Sequence, residues 1–204
     1  MPGVGGSANW AGAAVDPETG MFYVGTHRLP FVVTVRKPWP LESSYDFIGE
    51  FRYLPGPRGL PLFKPPFGSM LAIDMNSGEH RWRIPVGRAE LIPSIRQLGI
   101  TERLGFPGRS WALLTKTVMI VVQSGYYGAP RLAPGGLRRI ADLNNFDPHL
   151  WVYDKTTGEM LAEIPLPANA AGAPISYMAG GKQFIAFPVG GGPLVEEIIA
   201  VSLP

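Results

Sequence analysis

The chain has 204 residues, enough for one domain with a real core. Its 18 basic and 16 acidic residues nearly cancel and form no block of one sign, which argues against nucleic acid or an anionic membrane as an electrostatic partner. The absence of cysteine excludes a disulfide framework, cysteine-ligated zinc and CxxCH haem attachment.

Taken in chain order, the opening MPGVGGSANW has neither the basic start nor the apolar run of a signal peptide. Short runs rich in Val, Ile, Phe and Tyr then predict strands over 21–26 and 31–35. A proline-rich stretch, 36–68, reads as an inserted loop. Strands are predicted at 69–74, 80–85, 112–115 and 118–123, with a second insertion at 87–108 and a third at 124–148. The last strands fall at 150–154, 159–164, 174–178, 183–188 and 196–202. Helical periodicity is weak and confined to 89–98 and 137–143. No apolar run is long enough to span a membrane. The 26 glycines and 22 prolines mark turns between these runs rather than low complexity.

Three turns share a pattern: Asp16-x-x-Thr19-Gly20, Asp74-x-x-Ser77-Gly78 and Asp154-x-x-Thr157-Gly158. An Asp side chain accepts backbone N–H bonds from the residues ahead of it, and glycine takes the left-handed conformation that closes the reversal. The turns therefore read as copies of one repeat. The aspartates stand 58 and 80 residues apart, too far for bare blades of about 40–50 residues, but both gaps contain insertions, and the remaining strands make roughly three four-stranded blades. The expected fold is all-β: a single domain over 1–204, forming a partial β-propeller of about three four-stranded antiparallel blades. Three blades cannot close a ring, so neighbours must come from elsewhere.

The segment Ala72-x-Asp74-x-x-Ser77-Gly78-Glu79-x-x-Trp82 resembles the tryptophan-docking repeat of the quinoprotein dehydrogenases, eight-bladed propellers in which a tryptophan of one blade packs on the next. The other two copies are degenerate, with Val24 and Ala162 at the tryptophan position. The likeness extends along almost the whole chain, in order. GGSANWAGAAVDPETGMFYVGT, FKPPFGSMLAIDMNSGEHRWRIPVG and LGFPGRSWALLTKTVMIVVQSG are similar to consecutive segments of the membrane-type glucose dehydrogenase branch. LWVYDKTTGEMLAEIPLPANAAGAPISYMAGGKQFIAFPVGGG resembles its closing blade.

This resemblance implies the C-terminal part of a propeller that binds pyrroloquinoline quinone (PQQ) at its axis with Ca2+, oxidises a sugar or alcohol, and passes electrons to an acceptor such as ubiquinone in the periplasm. It implies that Asn9 and Trp10 lie at the cofactor end of a blade, the alternative being that Trp10 packs between blades and Asn9 forms a turn. Lys64 and Arg109 flank Pro/Gly-rich loops, where ordinary surface charge is the favoured reading and contact with the PQQ carboxylates at the axis the other. The catalytic aspartate and the calcium ligands belong to earlier blades in the family, so no catalytic residue or metal ligand is assigned here. Activity is accordingly not expected of this chain alone.

The oxygen-rich run Asp142, Asn144, Asn145 and Asp147 lacks calcium-loop spacing and reads as a solvated loop. His27, His80 and His149 show neither zinc nor triad spacing. Two departures from the family bear on the substrate mouth or on a protein contact: the segment GRSWALL where relatives carry smaller residues, and the long 124–148 loop with Arg131, Arg138 and Arg139. The competing reading is a non-catalytic propeller scaffold of the outer-membrane-assembly type, which would share the blade repeats without the NW and closing segments. A third is a separately expressed piece that completes its ring with another chain.

Overall fold

Strands whose alternate side chains are apolar on both faces belong between two layers, and that pattern organises the computed structural model. It describes residues 6–8, 10–54, 56–100, 102–124, 148–191 and 194–202. Strands β1 (Ala13–Asp16), β2 (Met21–His27), β5 (Gly68–Asp74) and β6 (His80–Pro85) form the first antiparallel blade, in the order β1-β2-β5-β6. Strands β7 (Ser110–Leu114), β8 (Val118–Gln123), β9 (His149–Asp154) and β10 (Met160–Pro165) form the second, in sequence order across the sheet. Strands β11 (Ile175–Ala179), β12 (Lys182–Gly191) and β13 (Leu194–Ser202) form the third. β3 (Phe31–Arg36) and β4 (Ile48–Tyr53) pair only with each other, as a hairpin set into the β2–β5 connection.

The all-β propeller expectation is met, with differences of detail. The third blade has three described strands rather than four, leaving β13 with one open edge. β1 and β4 were not foreseen, because AAVD is short and alanine-rich and IGEFRY lies within proline-rich sequence. The expected helix over 89–98 is a 3-10 turn, Ala89–Leu91, followed by one α-turn, Pro93–Arg96. Pro93 has no N–H with which to continue the first turn into the second. The expected helix at 137–143 lies outside the described residues. Among those described, no helix is long and apolar enough to cross a membrane.

β8 shows how the blades stack. Met119 and Val121 point into a core shared with the first blade, together with Tyr23, Met70, Ala72, Trp151 and Tyr153. Ile120 and Val122 point the other way, into a core shared with the third blade through Leu166, Ile185, Phe187 and Val189. The two-residue period of a strand thus assigns one short segment to two inter-blade layers. Each fully buried side chain of this size contributes about 2 kcal/mol.

The blades splay like wedges. Their inner strands come close enough that a Cβ on Gly25 would lie 2.8 Å from the Ser110 carbonyl oxygen, while Trp82 and Ile84 fill the outer gap. Trp82 docks on the next blade at Gly158, where a Cβ would sit 3.0 Å from its indole. The repeat's tryptophan therefore does what its family pattern implies.

Candidate functional site

All four tight reversals of the first two blades lie at one end. Met75 N–H donates to the Gly20 carbonyl at 2.9 Å, and Lys155 Nζ donates to the Thr115 carbonyl at 3.4 Å, so the turns pair within each blade. Lys155 also forms a buried ion pair with Asp16 at 2.7 Å, and the Tyr23 hydroxyl donates to the Lys155 carbonyl at 3.0 Å, joining the blades there. The aspartates behave as read from sequence. Oδ1 of Asp16, Asp74 and Asp154 accepts from the N–H of Glu18, Asn76 and Thr156 at 3.1, 2.9 and 2.8 Å. They are structural and carry no chemistry. One point differs: the Asp16 turn joins the first two strands of its blade, whereas the Asp74 and Asp154 turns join the last two. Asp16 and Asp74 thus belong to one blade and are not successive repeats.

Antiparallel order puts both ends of each long connection, from β2 to β5, β6 to β7 and β8 to β9, at the opposite end. Here the strands finish in polar residues that are nevertheless buried: His27, Ser69, Ser110, Gln123 and His149. Gln123 Nε2 donates to the Phe106 carbonyl at 3.0 Å and contacts Ser110 Oγ at 3.1 Å. The backbone of Arg109 is held on both sides by Ser124: its N–H donates to Ser124 Oγ at 3.0 Å and its carbonyl accepts from Ser124 N–H at 2.9 Å. His27 exchanges two bonds with Ser7, N–H to carbonyl at 3.1 Å and Ser7 Oγ to the His27 carbonyl at 3.1 Å. Gly68 lets segment 104–106 cross it, since a Cβ there would lie 1.8 Å from the Phe106 carbonyl oxygen. The Glu163 carboxylate ties the same connection to the second blade, accepting from Arg88 at 3.0 Å, Arg103 at 3.0 Å and Trp151 Nε1 at 2.9 Å.

Trp10 and Arg109 stand just before β1 and β7, the first strands of adjacent blades, at this same end. The guanidinium carbon of Arg109 lies 5.4 Å from the Trp10 ring centre, a cation–π geometry, and Trp10 remains 81% exposed. Behind them burial, and secondarily the Arg109 cation, pushes the His27 pKa down to about 4. His27 is therefore an uncharged imidazole at neutral pH. Lys64 lies in the β2–β5 connection at the same end, exposed, with its carbonyl accepting from Arg28 Nη1 at 3.3 Å. Asn9 and the Asp142–Asp147 run lie outside the described residues. Among the described residues no three His, Cys, Asp or Glu side chains gather as a metal site.

The arrangement offers an open aromatic face beside a fixed cation, backed by a neutral imidazole and a hydrogen-bonded floor. It suits a flat anionic ligand, and supplies no described carboxylate to act as a base. Sequence reasoning missed His27, Ser110 and Gln123 because each is unremarkable alone. The available signal was that strands on the insertion side end in polar residues (Thr26-His27, Ser69, Ser110, Gln123-Ser124) while their middles are apolar.

Comparison with known proteins identifies the family. Residues 1–185 match the family model described as "PQQ: Glucose/ethanol/alcohol dehydrogenase, beta-propeller domain". The quinate/shikimate dehydrogenase (quinone) of Acinetobacter baylyi is 26% identical over 94% of this chain and 24% of its own length. The quinoprotein glucose dehydrogenase of Gluconobacter oxydans is 28% identical over 100% of this chain and 27% of its own. The chain thus spans about a quarter of these curated relatives. Among solved structures, the quinohemoprotein alcohol dehydrogenase from Comamonas testosteroni superposes with a TM-score of 0.56 over 93% of this chain and 23% of that one, at 20% identity. That likeness speaks for the fold.

Proposed function

The chain belongs to the PQQ glucose/ethanol/alcohol dehydrogenase β-propeller family, and on that premise we propose that it is the C-terminal part of a quinoprotein dehydrogenase. The enzyme would oxidise a sugar, an alcohol or a related polyol and deliver the electrons to a quinone or comparable acceptor, in the periplasm. Further blades, from the rest of a longer chain or from a second chain, complete the ring, and the catalytic carboxylate and calcium ligands come with them.

The observation that carries this reading is the Trp10–Arg109 pair at the insertion end of the innermost strands. PQQ is planar and carries three carboxylates, so an exposed indole face and an adjacent guanidinium match its shape and charge. When bound, that quinone accepts two electrons from the substrate carbon. The chain's own part is to hold and orient. Trp10 supplies an apolar face, Arg109 balances carboxylate charge, and Lys64 adds a polar contact from the same mouth; the family resemblance gives Asn9 a polar contact as well. Ser124 holds the Arg109 backbone in place beside the Ser110–Gln123 bond, so little freedom is lost on binding. The uncharged His27 backs the pair without adding a second positive charge.

Equilibrium dialysis of the purified chain against PQQ is the test. Arg109→Gln and Trp10→Ala are each expected to weaken binding by about tenfold. Unchanged binding in both variants would sink the assignment. With PQQ and Ca2+ added, dye reduction with glucose or alcohols is expected to stay at background for the chain alone. Robust turnover would show instead that the base lies within these residues.

A further inference from the structure

The β3–β4 hairpin stands apart from the three blades, since neither of its strands pairs with a third. Its tip exposes a cluster of large apolar side chains. Trp39 is 70% exposed, Leu41 fully so, and Tyr45 and Phe47 are also open, with Val33 and Val35 behind them on one face of the ribbon. Water-facing loops seldom hold four such side chains within nine residues. Leu41 also sits in the left-handed region, at φ 67°, an unfavourable conformation for a leucine and one that turns its side chain outward.

The charges around the tip are arranged among themselves. Arg36 bonds Glu42 and Glu50 and stacks at 5.6 Å on Trp39, while Glu42 accepts from the Trp39 N–H at 2.7 Å. Lys37 and Asp46 border the cleft beside Tyr45 and Phe47. Residues 36–50 hold two basic and three acidic side chains, so the tip offers no net attraction to an anionic surface.

We infer that this hairpin tip is an interfacial anchor: Trp39, Leu41, Tyr45 and Phe47 enter the headgroup boundary of a lipid bilayer. Size favours a bilayer over a protein partner. The four tip side chains offer on the order of 500 Å², short of the roughly 800 Å² per partner of a stable protein interface. Shallow insertion in lipid needs only the tip. Chemistry agrees, because tryptophan and tyrosine, apolar with one polar atom each, favour the water–lipid boundary. Lys37 has a long enough stem to keep its ammonium in water. Charge points to neutral lipid, since the tip's arginine is already engaged by its own glutamates. The inference is independent of the dehydrogenase reading, as it uses nothing at the Trp10 mouth.

The test is flotation of the purified chain with phosphatidylcholine vesicles, with and without an anionic lipid, together with quenching of tryptophan fluorescence by brominated lipid. Binding to neutral vesicles is expected, no stronger with anionic lipid and insensitive to salt. A Trp39→Ser, Leu41→Ser double variant, changed only at exposed positions, is expected to bind about tenfold more weakly or worse, with the quenching lost. Ile198→Glu on the open face of the third blade is expected to leave binding unchanged. Three results overturn the proposal: no binding to neutral vesicles, binding that survives the tip variant, or binding abolished by Ile198→Glu. Tip-dependent dimerisation without vesicle binding also overturns it, and would assign the hairpin to a second copy of the chain.

Discussion

His27 is a histidine whose environment sets its charge. Only 4% of it is exposed, and burial, with Arg109 nearby, lowers its pKa from the ordinary 6.5 to about 4. Between those values the unfolded chain takes up a proton that the folded chain refuses. His27 therefore lowers stability as pH falls through that window, and its effect is absent above it. From pH 7 to pH 5 the loss is about 2 kcal/mol. Urea unfolding at the two pH values should show that difference, and His27→Gln should remove it. Equal pH dependence in the two proteins would mean that His27 is protonated in the fold. In sequence His27 was only an isolated histidine. Its depth depends on Ser7, brought alongside by the pairing of β1 with β2, and on Arg109, which comes close only when two blades stack.

At the scale of elements, the Asp-x-x-Thr/Ser-Gly turns were the most legible feature. Their hydrogen bonds are local, so the motif carries its own geometry: Gly20, Gly78 and Gly158 have φ of 72°, 75° and 76° and donate back to the aspartate carbonyls. What the motif did not reveal is which strands each turn joins, because that depends on strand order. Nor did it show what lies above the turn. A Cβ on Gly78 meets nothing within 4 Å, whereas one on Gly158 meets Trp82 and Ile84. Gly78→Ala is therefore expected to cost about 1 kcal/mol, from backbone conformation alone. Gly158→Ala should cost about 1–2 kcal/mol more, because Trp82 has to move. Equal shifts in the urea midpoint would mean that the tryptophan does not dock. Trp82→Phe bears on the same contact, since the indole N–H is buried without a described partner.

At the scale of the whole molecule, three stacked blades leave two open sides. On the third blade, Ile175, Tyr177 and Ile198 lie on the face turned away from the core, and Ile198 is 79% exposed. On the first, Val15 is exposed. Sheet faces of this kind are normally covered. The purified chain should therefore associate as its concentration rises, and Ile198→Glu should reduce that association in sedimentation velocity. A monomer at all concentrations, with or without the substitution, would count against further blades stacking on that face.

The strand runs and the Asp turns were readable in the sequence alone, because each rests on side-chain alternation or on bonds spanning four or five residues; the docking tryptophan was readable only through its resemblance to a known repeat, since its contact is 76 residues away at Gly158. The membership of a propeller family followed from their order. Tertiary structure alone decided that Asp16 and Asp74 share a blade, that a hairpin stands in the proline-rich stretch, and that Trp10, His27 and Arg109 meet at one mouth. Those facts depend on which strands lie side by side and which ends of adjacent sheets coincide. Contacts across 80 or 100 residues are set by blade stacking, and no local pattern encodes them.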